Sequence, residues 1–231
     1  MAVLLAAAGR FKMEWLKTTA ETLASKESKE TSAEPAAIPT PGGWGVAYCY
    51  GNRLESLRSN RHWQLDPDFA QLPEIKTDMA MLYLHGPGTR LGPREVQPFV
   101  RFEQGQFWAF SHLGTITTQD RLDTGNRLPD SNSLSEKYFL HILEGLSLED
   151  IPGSVAARQK LLSQEPSLSF CLMRSDLMIV SCLFREKSAP GRLWFSRSEL
   201  LLVMASQPIP SGSPLSSGSL IAITRQRREI P

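Results

Sequence analysis

Strand-like runs in this chain come in two blocks with a helical pair between them, without strict alternation of strand and helix. In the first block, residues 3–8 and 79–84 are apolar runs short enough to be buried strands, and residues 44–50 and 53–57 flank the turn Gly51-Asn52 as a hairpin. Residues 106–111 close this first block; in the second, residues 167–174, 177–184, 193–196, 200–205 and 220–224 read as strands, with Ser175-Asp176 as a hairpin turn. Between them, helices are expected over residues 137–146 and 155–164. Residues 11–24 carry Met13, Leu16, Ala20 and Leu23 on one helical face, and residues 68–72 form a short helix stopped by Pro73. A parallel βαβ fold does not suit this order. Stacked mixed or antiparallel sheets with outer helices do, which makes the chain α+β.

The 231 residues suffice for a single domain with a sizeable core, and we treat residues 1–231 as one. Residues 25–41, rich in Ser, Lys and Glu, read as a flexible loop, and residues 225–231 as a solvated basic tail. Lys plus Arg (25) balances Asp plus Glu (24), so overall charge draws the chain neither to nucleic acid nor to anionic lipid. The apolar start at residues 2–8 has no basic segment before it and is too short to cross a membrane. Cys49, Cys171 and Cys182 lie in strand-like runs without ligand spacing and read as buried free thiols of a cytoplasmic protein. His62, His85, His112 and His141 are scattered. No metal and no cofactor is expected.

Several short motifs follow one another along the chain. Met1-Ala2-Val3-Leu4-Leu5 is followed by Gly43-Trp44-Gly45, Gln97-Pro98-Phe99 and the aromatic run Phe107 to Phe110. That run enters a turn at His112-Leu113-Gly114, and Ser133-Leu134-Ser135-Glu136 follows as a capping box. Ser206-Gln207-Pro208 comes late in the chain. Together these resemble the small class II, N-terminal-nucleophile glutamine amidotransferases along nearly the whole chain. The resemblance implies a four-layer αββα sandwich of the N-terminal-nucleophile hydrolase type.

It also implies what the reaction would need. In that family the initiator Met is removed and an exposed Cys attacks the glutamine carboxamide, with its own α-amino group as base. Here Ala2 holds that position. The family's oxyanion hole is an Asn side chain and a Gly backbone N–H; here they are Leu113 and Gly114. Losing one such donor typically costs roughly 10²–10³ in rate. Leu134 stands where the family's Asp binds the substrate ammonium, and Gln97 falls in the family's substrate-side Pro-Phe motif. Two placements of the carboxylate-binding Arg stay open. Aligning His85 leaves Pro87 in its place, whereas aligning Gly88-Thr89-Arg90 keeps Arg90.

Three losses together predict a degenerate member, a pseudoenzyme with a binding or regulatory role. Its former glutamine pocket would be lined in part by Leu113 and Leu134, and would either take a different small molecule or be filled as core. The alternative is an active amidohydrolase on glutamine or a γ-glutamyl compound, using Ser111, Thr115 or Ser135 with His112 as base. A third reading is an interaction subunit or homo-oligomer, with residues 25–41 and 211–219 as contact surfaces.

Overall fold

Apolar runs that can be buried on both sides fall at the centre of the first sheet, and runs with alternating exposure fall at its edge. In chain order the first elements are β1 (Val3–Gly9), α1 (Met13–Thr31), β2 (Trp44–Tyr50), β3 (Arg53–Ser59), α2 (Pro67–Ala70), β4 (Met79–Leu84), β5 (Phe99–Glu103) and β6 (Gln106–Thr115). There follow α3 (Leu134–Glu144), α4 (Ile151–Lys160), β7 (Ser167–Arg174), β8 (Leu177–Cys182), β9 (Trp194–Arg197), β10 (Leu201–Ala205), β11 (Ser213–Pro214) and β12 (Ser219–Thr224). This computed structural model describes residues 2–31, 42–86, 91–186 and 191–225. β1 and β4 are buried almost throughout and pair antiparallel, with Val3 opposite Leu84. β3 alternates between exposed and half-buried positions at the sheet edge.

Among the described residues the strands make a seven-stranded sheet, β11-β9-β10-β1-β4-β2-β3, and a five-stranded sheet, β12-β8-β7-β6-β5. Every strand pairing is antiparallel. Three apolar layers define the stacking. Leu16 and Ala20 of α1 pack with Trp44, Phe69 and Leu82 on the outer face of the first sheet. Leu4, Ala47, Met81, Leu113, Cys171 and Met204 fill the space between the sheets. Phe110, Tyr138, Phe139, Ile142 and Phe170 join the second sheet to α3 and α4. The chain is an α+β, four-layer αββα sandwich.

Four local expectations need correction. Helix α1 continues to Thr31, so residues 25–31 are helical where a loop was expected, and residues 32–41 lie outside the described set. The Ser, Lys and Glu residues there are adequate helix formers, and no Pro or Gly interrupts them. His112-Leu113-Gly114 is not a turn: β6 runs through it to Thr115, because β7 pairs along its whole second half. Phe99–Glu103 is a strand, β5, that no apolar run in the sequence marks. The cap of α3 is also different, since Ser133 makes no side-chain cap bond. Glu136 does reach back, but to the backbone N–H groups of Asp130 and Ser131 and to the Ser131 hydroxyl, with Arg101 3.0 Å away.

Candidate functional site

One rim of the sandwich gathers most of the motif residues, and the antiparallel register is what brings them there. Val3 and Trp44 both pair with Leu84, so β1 and β2 begin where β4 ends. Leu5 and Trp194 both pair with Ala205, so β10 ends and β9 begins on the same side. In the other sheet Thr115 pairs with Ser167, which puts the end of β6 beside the start of β7. The two sheets meet at this rim through Gly191, where a Cβ would lie 2.8 Å from the Leu113 carbonyl oxygen and 3.1 Å from Ser167 Oγ.

Ala2 is half-buried and packs against the inter-sheet cluster that contains Leu4, Tyr83 and Leu113. The next turn of the strand is tied down: Leu4 N–H donates to Ser206 Oγ at 3.0 Å, and Ser206 N–H donates to the Leu4 carbonyl at 2.9 Å. Leu113 is buried, its isobutyl group part of the inter-sheet core. Gly114 follows with φ +145°, and a Cβ there would meet the Ser167 carbonyl oxygen at 2.3 Å, so no larger residue fits. Strand alternation sends residue 112 to the opposite face of the sheet. His112 packs edge-on to Tyr138, and its Nδ1 lies 2.9 Å from Ser135 Oγ. Its Nε2 is buried without a well-formed hydrogen bond. Burial pushes the His112 pKa down to about 4, opposed only by the Ser167 backbone.

Gln97 is a strut. Its Oε1 accepts from His112 N–H at 2.6 Å and its Nε2 donates to the His112 carbonyl at 3.2 Å, while its own N–H donates to His85 Nε2 at 3.1 Å. Both amide atoms are thereby engaged with the β6 backbone. His85, like His112, is held down to about 4 by burial.

Leu134 is not beside Leu113. It opens α3 and packs, half-buried, against the core between the second sheet and the helices, so the sheet separates it from the inter-sheet space. Arg90 and Pro87 lie outside the described residues. Ser111 is fully buried with an unpartnered hydroxyl, and Thr115 is exposed on the rim. The three thiols are buried in the inter-sheet core, where desolvation raises all of them and pushes Cys49 up to about 12. Cys49 is also at the far end of the sandwich, beside the Arg174 carbonyl, five residues along β2 from Trp44 and thus roughly 16 Å from the rim.

Ser206 belongs to the late Ser-Gln-Pro motif, though its tie to Leu4 is not readable there, and the Gly191-Arg192 pair belongs to no motif. The trace of that pair in the sequence is an arginine set between a Pro-Gly step and an apolar strand. Two open depressions of about 390 Å³ each lie elsewhere, one around Arg127 and the other between Lys17 and Trp63. Among the described residues, no three His, Cys, Asp or Glu side chains are grouped to hold a metal ion, and no helix is long and apolar enough to cross a membrane.

No family model matches the chain. Over 130 residues it is 25% identical to YafJ of Escherichia coli K12, a candidate glutamine amidotransferase; the match covers 54% of this chain and 51% of that protein. The chain therefore spans about half the length of this relative. Among solved structures it superposes on Bacillus subtilis glutamine phosphoribosylpyrophosphate amidotransferase with a TM-score of 0.73 at 15% identity, covering 96% of this chain and 47% of that one. A class II domain protein from Silicibacter pomeroyi gives 0.65 at 13% identity, with coverage of 96% and 94%. A glutamine amidotransferase assigned by prediction in Pseudomonas aeruginosa gives 0.60 at 13%, with 95% and 96%.

Proposed function

We propose that this class II glutamine amidotransferase-like protein keeps the fold without the glutaminase reaction and acts as a binding or regulatory protein. The observation that carries the reading is that Ala2 and Leu113 both face the inter-sheet core with apolar side chains. A methyl group sits where β1 begins, and an isobutyl group is packed into the inter-sheet core that it borders. Neither supplies a nucleophile or a hydrogen-bond donor for a developing oxyanion. Cys49, Cys171 and Cys182 offer no replacement, since burial keeps each thiol protonated and unreactive at neutral pH. The same buried free thiols support a cytoplasmic setting. A small molecule on the rim, a protein partner or a second copy of the chain would supply the binding role.

Purified chain incubated with glutamine tests this. We expect no glutamate release and no mass increase after exposure to an electrophilic glutamine analogue. Glutamate release above the no-protein control would overturn the reading.

One observation favours the second reading, an amidohydrolase with an atypical nucleophile: Ser135 Oγ lies 2.9 Å from His112 Nδ1. A His held near pKa 4 is a weak base for a serine at neutral pH, and the ring faces α3 rather than the inter-sheet rim. Glutamate release lost in Ser135→Ala would establish that reading in place of ours.

A further inference from the structure

The geometry points to an anion site at Arg192, on the same rim as Ala2, that takes a small carboxylate or phosphate. Arginines in this fold that are substantially buried have carboxylate partners. Arg101 has Glu136 and Asp130, Arg127 has Glu103 and Glu144, Arg158 has Asp123, Arg174 has Asp176 and Arg225 has Asp78. Arg58, which is more exposed, donates to the Val96 carbonyl and feels the charges of Glu136 and Asp130. Arg192 differs from all of these. It is half-buried, no described carboxylate lies within ion-pair distance of it, and its Nε is buried without a well-formed hydrogen bond.

The side chain is held in place. Its guanidinium sits 5.6 Å over the Trp194 ring, an attraction that fixes the fork without neutralising its charge. Backbone on both sides is anchored as well. Gly191 abuts the Leu113 carbonyl and Ser167, while Leu193 is fully buried between the sheets. A buried charged N–H without an acceptor is costly, and an oxyanion that supplies one gains a charge-assisted bond in return. Because the guanidinium is a planar, rigid fork, the favoured ligand presents two oxygens in one plane, as a carboxylate or a phosphate does.

This inference gives the binding role proposed above a ligand class and rests on that reading. Its test is calorimetric titration of the full chain at low ionic strength with succinate in one arm and inorganic phosphate in the other. We expect saturable binding of at least one anion, weakened roughly tenfold or more in Arg192→Gln, as loss of one charge-assisted contact implies. Arg192→Lys keeps the charge and loses the fork, so it falls between the two, and thermal melts of both variants should match the parent. Saturation by succinate alone marks a carboxylate site, by phosphate alone a phosphate site, and by both a general oxyanion site. If neither anion binds, or if Arg192→Gln binds as tightly as the parent, the inference is overturned. Glutamate release would overturn the loss of the reaction instead, so the two failures are distinguishable.

Discussion

The two faces of β6 have opposite characters. On the face toward α3, Trp108, Phe110 and His112 pack against Tyr138, Phe139 and Phe170, and His112 is bonded at both its ring and its backbone. On the face toward the other sheet, Ala109, Ser111 and Leu113 are small or aliphatic, and Ser111 has no partner. One strand thus carries a specified polar and aromatic face and a plain apolar one. The first holds the fold together; the second is the face whose residue 113 would have to donate to an oxyanion.

That asymmetry predicts where the strand is fragile. Phe110 stacks on Phe139 at 5.1 Å and meets Phe170 at 5.2 Å and Tyr138 edge-on at 5.5 Å, all fully buried. Phe110→Ala should destabilise the chain by about 3–5 kcal/mol in urea unfolding, the usual range for a buried ring replaced by a methyl group. A loss below about 1 kcal/mol would show the helix-side face to be loosely packed and would remove the contrast.

His112 sharpens the same comparison through pH. Its folded pKa, about 4, lies below the unfolded value near 6.5, so the unfolded chain takes up the proton first as pH falls. Stability from neutral His112 is complete above about pH 6.5 and is lost progressively toward pH 4. Between pH 7 and 5 this one residue should cost about 2 kcal/mol, and His85, held down to about 4 in the same way, should cost a similar amount. His112→Asn should flatten the slope by its own share. Parallel pH profiles for parent and variant would mean that the ring titrates normally in the folded chain.

Much of the architecture was legible in the sequence, because apolar runs bounded by Gly, Pro, Asn and Asp fix where strands start and stop. The hairpins at Gly51-Asn52 and Ser175-Asp176 are present as expected. What local pattern could not give was set by tertiary pairing. His112-Leu113-Gly114 reads as a turn because it contains Gly, yet seven cross-strand partners in β7 hold β6 extended through it. β5 follows a Gln-Pro step, and its Val-Arg-Phe-Glu pattern is readable only once β6 lies beside it. The candidate site was half legible. Ala2 and Leu113 could be placed at one site from their motifs, and they do share a cluster. Leu134 could not, since a helix start carries no mark of which side of a sheet it will cover. Arg192 belongs to no motif, and its lack of a partner is a three-dimensional fact.

The smallest expected effect probes the plain face directly. Ser111 Oγ is fully enclosed in the inter-sheet layer opposite Cys171 in register, and it makes no hydrogen bond. Ser181, equally buried, places its hydroxyl 2.5 Å from Gln159 Oε1. Removing a satisfied buried hydroxyl strands its partner, whereas removing an unsatisfied one relieves a desolvation penalty. Ser181→Ala should therefore cost about 1 kcal/mol, while Ser111→Ala should be neutral or stabilise by up to about 1 kcal/mol. If Ser111→Ala instead destabilises as much as Ser181→Ala, the hydroxyl has a partner between the sheets. The inner face of β6 would then hold a polar network of its own, and Leu113 would border a hydrated site rather than seal a dry one.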